Sequence, residues 1–295
     1  MSKKNYIIVF VLLLQSCFFI EEDMSDCPEE IRVFFDITQS DAINPNDIDR
    51  MHLYVFNDKG GFLREYIDDN VVFSSDYYID CSNLTPGKCR FVAWGGKNAN
   101  YYSVTPMFVK GETTLDEALL TLKSAGGIVS APMSHLFHSC LPVTVDRRRE
   151  QKIVMPLIQF SNTIHIRVKG ASNTDLLTVG IVDNNSVYHF NGDFAPASSL
   201  TYTAPFALTG SDFNTSLTVL RMAEGRNTML QLYNVGELIF SHNLINLILA
   251  RYPGNNFDTK NVYHIEVILE GPPANLSITI NIDKWEEENN DYELF

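Results

Sequence analysis

MHLYVFNDKGGFLREYID, residues 51–68, decides the fold of this chain. Met51, Leu53 and Val55 fall on one side of an extended backbone, because successive side chains of a strand point to opposite faces. Asp58, Lys59, Gly60 and Gly61 then break the apolar pattern, and glycine supplies the positive φ that tight hairpins require. The stretch predicts two antiparallel strands joined by a short turn. The same period of two recurs on either side. EIRVFFDIT (30–38) collects Ile31, Val33, Phe35 and Ile37 on one face, leaving Arg32, Phe34, Asp36 and Thr38 on the other. GKCRFVAW (87–94) groups Cys89, Phe91 and Ala93, with Val92 and Trp94 opposite, which places Trp94 in packing between layers.

One helical insertion is expected in TTLDEALLTLKSAGG (113–127). Leu115, Leu119 and Leu122 are spaced along one helical face, Thr114 and Glu117 have the spacing of a capping box, and Gly126 suits a helix stop. A leucine stripe of this kind is a packing feature. Alternation returns in LPVTV (141–145) and QKIVMPLI (151–158). NTIHIRVKG (162–170) begins a new series, with Ile164, Ile166 and Val168 inward and His165, Arg167 and Lys169 outward, so a domain boundary is expected near Ser161. LTVGIVD, SLTVLRM, TMLQLYN and ELIFSH add strands, and HNLINLILARY (242–252) reads as a short apolar helix or a further strand. NVYHIEVILE (261–270) aligns Tyr263, Ile265, Val267 and Leu269. After Gly271, Pro272 and Pro273, LSITINIDKW aligns Ile278, Ile280 and Ile282, and the prolines force a turn or a crossing between sheets. The expected fold is all-β, with two β-sandwiches in series over 28–160 and 161–295 and one or two short helices.

The N-terminus carries an address. The apolar run from Tyr6 to Leu14 follows Lys3 and Lys4, and it falls well short of the about 20 residues that a membrane-spanning helix needs. Basic end, short apolar region and small Ser16 form the layout of an export signal over 1–16, with a linker over 17–27. Leu14-Gln15-Ser16-Cys17 resembles a bacterial lipobox, in which the chain is cut before the cysteine and its sulfur is lipidated; Gln15 departs from the usual pattern. Glu21, Glu22 and Asp23 resemble the signal that sends Bacteroidetes lipoproteins to the outer face of the outer membrane. A plain signal peptide with an incidental cysteine is the alternative. Each buried CH₂ of an acyl chain is worth about 0.8 kcal/mol, so several chains on Cys17 would hold the protein firmly. Losing Lys3 and Lys4 takes the formal charge from −14 to −16. Such an acidic balance repels phosphate backbones, and nucleic acid is not an expected partner.

With Cys17 used for lipid, Cys27, Cys81, Cys89 and Cys140 remain. An even count in an exported protein permits disulfides: Cys81 with Cys89 across SNLTPGK, then Cys27 with Cys140, or else buried free thiols. His135, His138 and Cys140 in SHLFHSC are zinc-capable, yet their spacing matches no closed tetrahedral set, so no metal is expected. Ser139 beside His138 lacks a nucleophile elbow. Arg147, Arg148 and Arg149 lie between Asp146 and Glu150 and read as a solvated segment, a protease site being the sharper alternative. Trp94 and Trp285 could stack on sugars if both were exposed. No paired-carboxylate, phosphate-loop or nucleophile motif stands out, so neither an enzyme nor a cofactor is expected.

MHLYVFNDKGGFLREY followed by LTPGKCRFVAWGG (84–96) resembles the fimbrial anchor family (FimB type) of Bacteroidales type V pili, and ITINIDKW is similar to the end of those proteins. The resemblance implies two transthyretin-like β-sandwich domains, a lipidated first cysteine at Cys17, and a place at the base of a pilus in the outer membrane, at the cell surface. In related shaft subunits a protease cuts after an arginine and removes an N-terminal strand, opening a groove that a neighbour's strand fills. An anchor keeps its first strand, so EIRVFFDIT would fill its own groove, and a cut at Arg32 would separate lipid from fold. The implied partners are pilin subunits, bound by strand addition, and the outer membrane through lipid. The segment Trp285 to Phe295 would either extend to a neighbour or form a solvated tail. The alternatives in function are an outer-membrane glycan-binding lipoprotein and an accessory or tip subunit of a pilus.

Overall fold

The computed structural model describes residues 30–37, 47–130, 132–146, 149–171, 177–271 and 276–283. The hairpin forms as its sequence requires. Strands Met51–Asn57 and Phe62–Asp68 pair antiparallel, with a register shift between Val55 and Phe56. Asn57 holds the turn, its Oδ1 accepting from the N–H groups of Lys59 and Gly61 at 2.9 Å each. Around it lies a five-stranded sheet in the order Ile158–Gln159, Phe137–Val145, Gly87–Gly95, Met51–Asn57, Phe62–Asp68. A three-stranded sheet packs on one face, in the order Gln151–Pro156, Ile31–Asp36, Tyr78–Asp80. Leu53, Val55, Phe91 and Ala93 meet Ile31, Val33 and Phe35 in the core between them.

The second sandwich also has two facing sheets. One runs Ala207–Thr209, Asp212–Leu220, Ser161–Lys169, Val262–Glu270, Ser277–Ile282; the other runs Glu237–Asn243, Met229–Asn234, Leu177–Asp183, Leu200–Thr203, Ile128–Val129. Ile164, Ile166 and Val168 are fully buried, as the alternation requires. Val262–Glu270 and Ser277–Ile282 pair antiparallel within one sheet, with Glu270 opposite Ser277. Leu244–Arg251 is the one α-helix among the described residues. Asn243 caps it by accepting from Asn246 N–H at 2.9 Å. In both sandwiches the first strand is central and pairs parallel to a late one, Ile31–Asp36 with Gln151–Pro156 and Ser161–Lys169 with Val262–Glu270.

The helix expected over 113–127 does not form. Leu119–Leu122 is a strand held on both sides, by Val187–His189 and by Tyr102–Thr105, and Ile128–Val129 joins the second sandwich beside Leu200–Thr203. Thr114 and Glu117 still meet, with Thr114 N–H and Oγ1–H donating to Glu117 Oε2 at 3.0 and 2.9 Å. Their contact closes a turn rather than a helix. Leu120 and Leu122 are buried, and two waiting strand edges outweigh a local helix preference worth only tenths of a kcal/mol per residue, about 0.7 at most.

A second departure concerns the face expected to be secondary. Tyr54, Phe56, Val92 and Trp94 point away from the first core, yet all are buried. They join a single core cluster with Phe160, Tyr188, Phe190 and the interior of the second sandwich. The central sheet is therefore covered on both faces, and the two sandwiches share a core.

Candidate functional site

The strand Ile31–Asp36 fills a groove that would otherwise be open. Ile31 and Val33 have no exposed surface and Phe35 has 6%. Burying three such side chains contributes about 5–9 kcal/mol before conformational entropy is charged against it. Both backbone edges are occupied. Ile31 N–H donates to Ser82 Oγ at 3.0 Å and its carbonyl accepts from Cys81 N–H at 2.7 Å, while Leu157 N–H reaches the Asp36 carbonyl at 2.7 Å. The outer face carries Phe34 against Tyr78, ring centroids 5.5 Å apart, with Lys152 Nζ 4.3 Å from the Phe34 ring. Arg32 pairs with Glu30, and its guanidinium lies 5.0 Å from the Tyr78 ring. Removing this strand would expose an apolar slot beside two rows of backbone donors and acceptors, the combination that strand addition satisfies.

The other end of the chain leaves from a fixed point. Asp283 lies at φ 54. Its N–H donates to the His264 carbonyl, its Oδ1 accepts from His264 N–H, both at 2.7 Å, and its Oδ2 pairs with Lys260 Nζ at 2.6 Å. Burial alone would raise the Asp283 pKa, but the hydrogen bonds from His264 and Lys260 outweigh it and hold the carboxyl far below the usual range. On the same sheet, Glu266 is buried and receives Lys169 at 2.7 Å, Asn281 at 3.1 Å and Arg167 at 2.5 Å. The outward residues Arg167 and Lys169 thus neutralise a carboxylate within the sheet.

Cys17, Cys27, Arg147, Arg148 and the segment from Trp285 to Phe295 lie outside the described residues. Among the described residues Cys81, Cys89 and Cys140 are free thiols, the alternative that the sequence left open beside a Cys81–Cys89 bridge. Cys89 belongs to the five-stranded sheet and Cys81 follows directly on Tyr78–Asp80 in the sheet facing it. Burial pushes the Cys81 thiol up to about 12 and raises those of Cys89 and Cys140, which suits inert core thiols. Cys140 sits beside Arg90, 3.9 Å from its Nη1.

His135 and His138 serve separate neighbourhoods. His135 Nδ1 lies 3.0 Å from Ser161 Oγ and 3.1 Å from Gln159 Nε2, at the start of the second sandwich. His138 is packed against Trp94 and Phe160, at 4.4 and 4.8 Å between centroids, and its Nε2–H donates to the Phe190 carbonyl at 3.0 Å. Gly192, at φ +94, closes over the ring, since a Cβ there would sit 2.8 Å from His138 Cε1. Ser139 is buried and Arg149 exposed. Trp94 has no exposed surface, so it offers no platform for a sugar.

Burial lowers the His138 pKa to about 4; Arg221 acts in the same direction, and the Phe190 carbonyl and Asp193 oppose it. The unfolded imidazole titrates near about 6.5. Between these values the unfolded chain binds a proton that the folded chain refuses. The contribution is therefore complete above the unfolded pKa and is lost as pH falls through the folded one, by about 3 kcal/mol in all. His138→Gln keeps a donor for Phe190 without the titration. Its urea midpoint should change less than that of the parent between pH 7 and 4.5, and parallel pH profiles would refute the assignment.

Period-two patterning placed Ile31, Val33 and Phe35 inward and Trp94 in packing between layers, but left unassigned the role of Tyr54 and Phe56 in joining the sandwiches. The available signal was chemical: His52, Tyr54 and Phe56 make the nominally outward positions of MHLYVFN aromatic, which a solvated face would not be.

The sequence profile of the fimbrillin-A associated anchor proteins Mfa1 and Mfa2 matches residues 24–291. Among solved structures, the fimbrial anchor protein Mfa2 of Porphyromonas gingivalis is similar at 22% identity and a TM-score of 0.74, covering 88% of this chain and 98% of that one. A candidate polysaccharide-binding protein of Bacteroides thetaiotaomicron is similar at 21% identity and a TM-score of 0.74, over 87% and 96% of the two chains. A candidate adhesin of the same species is similar at 17% identity and a TM-score of 0.75, over 89% and 98%. At these identities the likeness carries the fold. No curated protein matches the chain.

Proposed function

This chain belongs to the family of fimbrillin-A associated anchor proteins, and on that premise we propose that it is a non-enzymatic, cell-surface lipoprotein that anchors a fimbria to the outer membrane and limits its length. The supporting observation is Ile31–Asp36, buried at the centre of its sheet as part of the same chain. A subunit whose groove is filled by its own N-terminal strand offers no vacancy there for another subunit's strand, so extension in that direction ends. Cys17 precedes that strand by 14 residues. About 3.3–3.6 Å per residue lets such a linker reach roughly 46–50 Å, enough to hold the sandwiches clear of a lipid surface. Acyl chains on Cys17 supply the attachment, and no helix among the described residues is long and apolar enough to cross a membrane. Contact with pilin subunits is by strand addition, which satisfies backbone groups and apolar slots together.

Cys17→Ala tests the attachment. Most of the fimbrial material is expected to move from the cells to the culture medium while the subunits themselves remain assembled. Cells of this variant that keep their fimbriae at the parental level would refute the anchoring role.

A further inference from the structure

Strand Gly87–Gly95 of the central sheet runs past its cover. Val92 and Trp94, on the face turned to the second sandwich, have no exposed surface. Two and four residues before Val92 on that same face stand Arg90 and Lys88, and both are exposed. They line a cleft of about 520 Å³ together with Asp58 and Lys59 of the hairpin turn, Asp116, and Asn191 from the turn after Val187–His189. Asn191 also borders a second cleft, of about 260 Å³, with Cys140, Asp193 and Arg221. Arg90 reaches from one to the other, its Nη1 3.9 Å from Cys140 Sγ.

We propose that this junction binds an acidic oligosaccharide, a run of sugars that carry carboxylates beside free hydroxyl groups. The site is additional to anchoring and does not depend on it. Three observations carry it. The first is unspent charge. Arg167, Lys169, Arg221, Arg226 and Lys260 each meet a carboxylate within the protein, as expected where 36 acidic side chains outnumber 22 basic ones. Among the described residues Lys59, Lys88 and Arg90 meet none, although Asp58 and Asp116 line the same cleft. Cations gathered in one concavity focus a positive potential that draws in an anion. Lys88 and Arg90 lie two residues apart on one face, about 6.5 Å along the strand, so one carboxylate can meet both in charge-assisted hydrogen bonds.

The second is the mixture of signs. Asp58 and Asp116 repel a ligand charged along its whole length, such as a nucleic-acid backbone, and as carboxylates they only accept hydrogen bonds. A sugar acid satisfies both sets, with its carboxylate on the cations and its hydroxyls donating to the aspartates. The third is the backbone. Cys89 is paired on one side with Asn57 and on the other with Val143, and Arg90 likewise with Phe56 and Pro142. This part of the cleft therefore offers side chains alone, and an added peptide strand would find no free edge there. Size agrees, since small-ligand clefts hold about 300–1,000 Å³.

The test is calorimetric titration of the purified full-length lipoprotein in detergent with tri-galacturonic acid. Saturable binding is expected, weakening as salt is raised. The methyl-esterified trisaccharide keeps its hydroxyls and loses its charge, and it should bind at least tenfold more weakly. The same loss is expected for the acid with Lys88→Gln/Arg90→Gln, whose unchanged urea midpoint would show the fold intact. Lys110→Gln/Lys152→Gln removes the same charge from exposed positions elsewhere and should keep the parental affinity. Asp116→Ala should weaken the trisaccharide at least threefold while leaving tricarballylate, a carboxylate without hydroxyls, bound no more weakly than before. No saturable binding, or equal losses in the two double variants, would overturn the site. Tricarballylate bound as tightly as the trisaccharide would overturn the sugar assignment and leave an unselective anion trap. None of these outcomes involves fimbrial retention, so this site and the anchoring role stand or fall separately.

Discussion

Val33→Asp should lower the unfolding free energy of this protein by about 4 kcal/mol or more, against a total stability of about 5–15 kcal/mol for a typical domain. Val33 has no exposed surface and sits between Ile153 and Ile79 in the middle strand of its sheet. The substitution removes a buried aliphatic side chain worth about 1.5–3 kcal/mol and sets a carboxyl group in its place with no donor to meet it. The acid would stay protonated at a cost that grows with pH, so the loss should be larger at pH 7 than at pH 5. Phe34→Asp, one residue along, should cost only about 1 kcal/mol. Phe34 is partly exposed, and an aspartate there would replace ring contacts with a charge close to Lys152. Urea unfolding followed by near-ultraviolet circular dichroism separates the two. Equal midpoints for both variants would show that the N-terminal strand is not integral to the fold, and the proposed self-filled groove would fall with it.

Trp94→Ala should cost about 3–5 kcal/mol, and the loss should register in both sandwiches at once. The indole packs at 6.1 Å from Phe190 and 6.3 Å from Tyr188, at the strand Val187–His189 whose side chains join the second sandwich's core, and at 4.4 Å from His138 of the first. Its Nε1 has no hydrogen-bond partner among the described residues, so the expected loss is one of packing. Because Trp94 and the second-sandwich residues belong to one continuous core, the cavity is shared. A single transition displaced to lower urea, with its slope unchanged, is the expected curve. Two transitions, with the second midpoint unmoved, would show that the sandwiches unfold independently.

The strand Ile31–Asp36 was legible because it depends on a local property. In EIRVFFDIT the period of two is unbroken, and any sheet that buries Ile31 must also bury Val33 and Phe35. The hairpin was legible for the same reason, with Asn57 and two glycines fixing the turn. The segment 113–127 misled because its leucines fit both periods: Leu115, Leu119 and Leu122 share a helical face, while Leu120 and Leu122 share a strand face. Neighbours far away in sequence, His189 opposite Leu119 and Thr105 on its other side, settled the choice.

The chain by itself determined which residues alternate, where it must turn, and which thiols and histidines were available. Those are consequences of backbone geometry and side-chain polarity acting over a few residues. Only the tertiary structure decided that Tyr54 and Phe56 join the core of the second sandwich, that Cys89 and the strand leading to Cys81 belong to facing sheets, and that a helix covers one side of the second sandwich. Each of these depends on what lies across a gap of about 10 Å between layers, and periodicity along one strand carries no information about the layer that faces it.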